Sequence, residues 1–163
     1  MTRMSWMALA APAAGLIMLA ATGAASADDA QSLLDAHNGF RDRYCVPAMT
    51  WSSDLAASAQ SWAEGCSMSH SSGGNYGENL AWGANLDAAY AVQLWTDEAG
   101  QYDYAYPAFS GSTGHFTQVV WRGSTELGCG MAACNGQNFW VCRYSPSGNY
   151  EGQFPDNVPQ ACK

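Results

Sequence analysis

The chain is 163 residues long, carries 6 Lys and Arg against 14 Asp and Glu for a net charge of −8, and contains six cysteines. That acidic balance argues against nucleic acid and anionic membrane surfaces as partners, since both repel it. An even cysteine count with no Cys-x-x-Cys or Cys/His cluster argues against thiolate metal binding and for three disulfides made in an oxidising compartment.

Residues 1–27 read as a secretory signal peptide: Arg3 in a short start, an apolar run over residues 8–21, and the small residues Ala25-Ser26-Ala27 ahead of Asp28-Asp29. The run is shorter than the about 20 residues of a membrane span, and no transmembrane anchor follows it. The expected product is a secreted, extracellular single domain of residues 28–163 (periplasmic if the source is bacterial), a monomer with a homodimer as the alternative. Asp28 or Asp29 can cap a first helix with the stripe Ala30, Leu33, Leu34, His37, Phe40 and Tyr44, ended by Val46-Pro47. Ser52 or Ser53 caps a second, in which Leu55, Ala56, Ala59, Trp62, Ala63 and Cys66 recur at helical spacing. Residues 67–83, rich in Ser, Gly and Asn, read mostly as loop with short regular pieces. A third helix over residues 87–100 turns Ala88, Ala91, Val92, Trp95 and Ala99 inward, and an aromatic-rich loop and a short helix over 116–121 follow. Trp51, Trp62, Trp82, Trp95, Trp121 and Trp140 fall in apolar patterns or turn edges and read as core.

The period then changes. Residues 126–134 and 137–144 flank Asn135-Gly136, the strongest short-range hairpin signal. A type I′ turn there makes paired positions sum to 271, which sets Cys129 opposite Cys142 in a non-hydrogen-bonded pair. Their Cα atoms would lie about 4.5 Å apart, within disulfide range. Cys134 has the opposite parity and needs a distant partner.

Four segments carry a resemblance. Residues 114–121, GHFTQVVW, and 139–150, FWVCRYSPSGNY, fit the two signatures of the CAP superfamily (cysteine-rich secretory proteins, antigen 5, pathogenesis-related class 1). His37-Asn38-Gly39-Phe40-Arg41 resembles its HNxxR segment, and Gly77-Glu78-Asn79-Leu80 its GEN segment. The chain is most similar to secreted pathogen-related proteins of yeasts and to the class 1 plant proteins. The resemblance implies an α+β fold, a three-layer α-β-α sandwich with a small central antiparallel sheet. It also implies the disulfides Cys66–Cys134 and Cys129–Cys142, which leaves Cys45–Cys162. The plant pattern closes a third bridge just before the first signature; residues 110–113 here hold no Cys.

The same resemblance implies a cleft lined by His70, Glu78, Glu98 and His115. Two neutral imidazoles suit Zn²⁺ and two carboxylates can orient them, so weak, pH-sensitive divalent metal binding at His70 and His115 is expected, with a purely structural hydrogen-bond network as the alternative. His37, Asn38 and Arg41 read as packing and backbone-bonding residues. Tyr102, Tyr104, Tyr106, Pro107 and Phe109 resemble the loop implicated in sterol binding in the yeast relatives. Rigid aromatic faces suit a flat apolar ligand, although the rings could instead simply cover core. The expected function is extracellular binding of a sterol or other small apolar ligand without catalysis. An interaction or defence-signalling module is the alternative, and a metal-dependent hydrolase using Glu78 or Glu98 as base comes third. His-Glu-x-x-His, Gly-x-Ser-x-Gly and a free Cys nucleophile are all missing from the sequence.

Overall fold

The computed structural model describes residues 25–163; the expected leader falls, up to residue 24, outside them. Helix α1 (Ala27–Arg43) begins two or three residues earlier than a cap at Asp28 or Asp29 would place it, because Ser26 is its cap. The Ser26 hydroxyl accepts from Asp29 N–H while the Asp29 carboxylate accepts from Ser26 N–H, the reciprocal arrangement that satisfies two orphan donors at once. The S-x-x-D spacing was hidden inside the segment read as a processing site. Strand β1 (Thr50–Trp51), α2 (Ser53–Glu64, capped by Ser52), β2 (Gly77–Gly83) and α3 (Ala88–Thr96, capped by Asp87) follow. The short regular piece expected within residues 67–83 is thus a strand of seven residues. The third helix stops at Thr96, and a 3-10 turn (Asp97–Gln101) replaces its last stretch. Then come α4 (Gly114–Val119), β3 (Glu126–Cys134), β4 (Gln137–Ser145) and a final turn of helix, α5 (Phe154–Asn157).

The sheet order is β1-β3-β4-β2. β3, β4 and β2 are antiparallel, and the two-residue β1 adds in parallel at one edge. Asn135 and Gly136 both have positive φ, as a type I′ turn requires, and the pairs run from Cys134↔Gln137 to Glu126↔Ser145, every one summing to 271. Cys129 and Cys142 face each other with Cα atoms 4.1 Å apart, and a disulfide joins them. The other bridges are Cys66–Cys134 and Cys45–Cys162, the latter tying the chain's end to the end of α1.

Two apolar clusters fill the spaces either side of the sheet, which makes the sandwich. Ala59 and Ala63 of α2 pack on Leu80, Ala132, Phe139 and Val141. On the other face Leu33, Phe40, Val92, Trp95, Phe116 and Val119 of α1, α3 and α4 pack on Ala81, Leu127, Trp140 and Tyr144. β3 presents Gly128 and Gly130 to α2 so closely that a Cβ on either would overlap the α2 backbone at Ala56 or Gln60. The HNxxR residues hold this frame. Arg41 is fully buried and donates to the carbonyls of Pro47, Val119, Trp121 and Ser124. Asn38 bonds both backbone groups of Met49.

Candidate functional site

The site forms where the loop after α2, the edge strand β2, the 3-10 turn and the start of α4 meet. Glu98 owes its place to the break in α3. Carried on the 3-10 turn, its carboxylate accepts from the backbone N–H of His115 and Phe116 (3.0 and 3.1 Å) and so caps α4, a task the Thr113 side chain does not perform. The other oxygen takes His115 Nδ1 at 2.7 Å. Trp95 lies near-parallel to the His115 ring, with centroids 6.4 Å apart. Asn79 Nδ2 donates to His115 C=O and to Tyr144 OH, both at 3.1 Å, and thereby links the site to the buried His37.

Glu78 makes the matching pair. Its Oε1 accepts from His70 Nδ1 (3.0 Å) and Ser71 N–H (2.9 Å); its Oε2 accepts from Ser71 Oγ (2.7 Å) and Arg143 Nε (3.2 Å). Burial pushes this carboxyl up, but the bonds from His70, Ser71 and Arg143 outweigh it and bring the pKa down to about 2. Ser71 and Arg143 escaped the sequence reading. Arg143 could have been suspected as a charged residue on an otherwise apolar strand between Cys142 and Tyr144; Ser71 had no signal of its own. With each His Nδ1 engaged by a carboxylate, the free nitrogen of each ring is Nε2. This is the orientation that carboxylates impose on metal-binding imidazoles. Glu78 accepts four hydrogen bonds and Glu98 three, so both carboxylates are engaged in holding the rings and the neighbouring backbone. Among the described residues no group of three or more His, Cys, Asp and Glu could hold an ion; the carboxylates sit behind the rings and do not complete a four-ligand shell.

His70 (side chain 62% exposed) and His115 (32%) line the same cleft, which has two limbs. The strand limb, about 430 Å³, runs along β2 between Met68 and Ser69 on one side and Leu94, Trp95 and Glu98 on the other. The loop limb, about 320 Å³, lies between the histidines and Phe109, Gly111, Gly114 and Asn149. The aromatic loop does not converge on one slot. Tyr102 is buried against Phe116, and Tyr104 packs edge-on to Tyr102. Phe109, 53% exposed, covers Gly114 and walls the loop limb; Tyr106 stands 81% exposed, beside a half-buried Pro107. Trp82, expected in the core, is 48% exposed at the far end of the strand limb. It sits on the outer strand, where the apolar pattern of β2 has no layer to cover that position. Among the described residues no helix is long and apolar enough to cross a membrane.

Comparison with known proteins agrees with this architecture. The profile of the cysteine-rich secretory protein family, CAP, matches residues 34–144. Protein PRY2 of Saccharomyces cerevisiae is 42% identical over 137 residues, a stretch covering 80% of this chain but 41% of PRY2. Pathogenesis-related protein 1 of Arabidopsis thaliana is 44% identical over 134 residues, covering 78% of this chain and 83% of its own length. Among solved structures, that of Na-ASP-1 superposes with a TM-score of 0.70 at 27% identity, covering 76% of this chain and 40% of that one.

Proposed function

The chain belongs to the CAP family of cysteine-rich secretory proteins, and from that premise we propose that it is an extracellular binding protein for small apolar lipids of the sterol class. The observation that carries the reading is the position of Phe109. This ring, half exposed, walls a limb that also holds the two histidines, and Tyr106 stands exposed three residues before it in the same loop. A flat apolar ligand there would gain by covering Phe109, at about 25 cal/mol per Å² of apolar area removed from water. Its single polar group would find the imidazoles at the inner end. Tyr102 and Tyr104 serve the loop's own packing, so the test uses Tyr106→Ala/Phe109→Ala, which leaves the core intact. The wild-type protein should bind radiolabelled cholesterol saturably and the double variant should lose that binding. Equal retention by both would overturn the reading.

A second reading rests on the two free Nε2 atoms. His70 and His115 would hold a divalent ion such as Zn²⁺ through them, with Glu78 and Glu98 fixing the rings from behind and water completing the shell. Two protein ligands are fewer than the three of catalytic zinc sites, so the binding is weak and the ion is not a resident cofactor. Titration with zinc tests it.

A further inference from the structure

The three bridges differ in what would become of a sulfur released from them. Cys129 and Cys142 are buried. Cys66 is exposed, but its partner Cys134 packs in the α2-side cluster with Ala63, Leu80 and Phe139. A thiolate set free at Cys129, Cys142 or Cys134 would be a charge without solvent, which burial strongly disfavours. Cys45 and Cys162 are both exposed, so theirs is the bridge with each half in water.

Charge singles out the same place. Among the described basic residues Arg41 and Arg143 are buried. The others, Arg43, Arg122 and Lys163, are exposed and gather at the Cys45–Cys162 bridge. Arg43 stands two residues before Cys45, Lys163 follows Cys162, and Arg122 Nη1 reaches Cys45 C=O at 3.5 Å. The carbonyl end of α1 and the Asp42 carboxylate oppose an anion here. Lys163 Nζ pairs with Asp42 at 2.7 Å, which leaves Arg43 and Arg122 without a carboxylate partner among the described residues.

The segment that carries Cys162 is held lightly. Phe154 and Val158 are buried in the core, whereas residues 159–163 form no helix or strand. They are kept in place by the bridge, by the N–H groups of Cys162 and Lys163 on Arg43 C=O (2.9 and 3.3 Å), and by the exposed Lys163–Asp42 ion pair. Ala161 and Lys163 wall a cavity of about 530 Å³, whose other sides are Phe40 and Tyr44 of α1 and Asp97, Ala99 and Gly100 of the 3-10 turn.

We propose that Cys45–Cys162 is a thiol–disulfide exchange site, opened by a reduced dithiol oxidoreductase of the thioredoxin class, and that its opening releases residues 159–163 from this cavity. A thiolate of the oxidoreductase attacks Cys162 Sγ and forms a mixed disulfide. The Cys45–Cys162 bond breaks, and Cys45 leaves as a thiolate beside Arg43 and Arg122 and takes a proton from water. The second thiol of the oxidoreductase then loses its proton and attacks its own partner sulfur in the mixed disulfide. Cys162 departs and is protonated, and the oxidoreductase is left as a disulfide, having supplied both electrons. Exposed bridges are in general the labile ones, and cations near the departing sulfur speed its release. The exchange does not depend on any ligand in the histidine cleft.

The test incubates the folded protein with thioredoxin, kept reduced by its reductase and NADPH. Thiols are then trapped with N-ethylmaleimide without denaturant and mapped by mass spectrometry. Cys45 and Cys162 should carry the label while Cys66–Cys134 and Cys129–Cys142 stay joined, and the Cys162 amide should lose its protection from hydrogen exchange. In a parallel reaction with dithiothreitol, which has no protein surface to recognise, the Arg43→Gln/Arg122→Gln variant should open about threefold more slowly than wild type. Equal labelling of Cys66 or Cys129, no label short of denaturation, or an unaltered Cys162 amide overturns the proposal. So does an equal rate for the variant, which would show that the cations play no part in the exchange.

Discussion

Acidification from pH 6.5 to 4 should remove about 3 kcal/mol of stability through one residue, His37. Its ring is completely buried, with Nδ1 2.7 Å from Leu33 C=O and Nε2 2.8 Å from Tyr144 OH. A carbonyl only accepts, so Nδ1 carries the proton and Nε2 accepts from the tyrosine. Tyr144 in turn accepts from Asn79. A second proton on Nε2 would face a hydroxyl whose own hydrogen has no other acceptor among these partners. Burial accordingly holds the pKa down to about 4 from its ordinary 6.5; the bond to Leu33 C=O opposes the shift and the Arg41 charge adds to it. The native pKa is the lower one, so below pH 6.5 the unfolded chain takes up a proton that the folded chain refuses. The contribution is complete above pH 6.5 and is lost as pH falls to about 4. Urea unfolding with the disulfides intact, followed at pH 7 and 4.5, measures the slope. The His37→Gln variant should start roughly 1–3 kcal/mol less stable at pH 7, for its lost buried bond, yet vary little across the window. If wild type and variant lose stability in parallel between these pH values, the buried neutral imidazole is not the cause.

Two further outcomes follow from other parts of the molecule. Gly130→Ala places a methyl group against the Gln60 backbone, where α2 rests directly on β3, and should cost about 1–3 kcal/mol as the layer is pushed away; an unchanged urea midpoint would show that α2 does not sit that close. Zinc titrated calorimetrically at neutral pH should give weak heat that His70→Ala and His115→Ala each abolish, and an absence of heat from the unmutated protein would retire the metal reading.

Much of the fold could be read ahead of the structure where chemistry is local. Asn135-Gly136 fixes a turn, the turn fixes a register, and the register alone brings Cys129 to Cys142. The stripe Leu33, His37, Phe40 likewise identifies the buried face of α1. What escaped depends on contacts distant in sequence or on rules that overlap. The Ser26 cap was concealed because small residues serve a processing site and a helix start alike. The end of α3 at Thr96 is set by what Glu98 must reach on α4, which no periodicity in residues 87–100 reveals. Loops have no repeat that says which rings turn inward, so Tyr102 and Tyr104 could not be told from Tyr106 and Phe109. Of the candidate site, the four cleft residues came from the family motif and not from spacing. That the carboxylates lie behind the imidazoles, with Ser71 and Arg143 behind Glu78, required three dimensions.

The most direct measurement is a photo-crosslink. A sterol carrying a photoactivatable group would be bound to the protein, irradiated, and the modified peptides identified by mass spectrometry. Labelling concentrated on residues 106–115, and suppressed by excess unlabelled cholesterol, is the predicted result. Labelling spread over the surface or confined to the face between α1 and α3 would contradict a lipid site at Phe109 and the histidine pair.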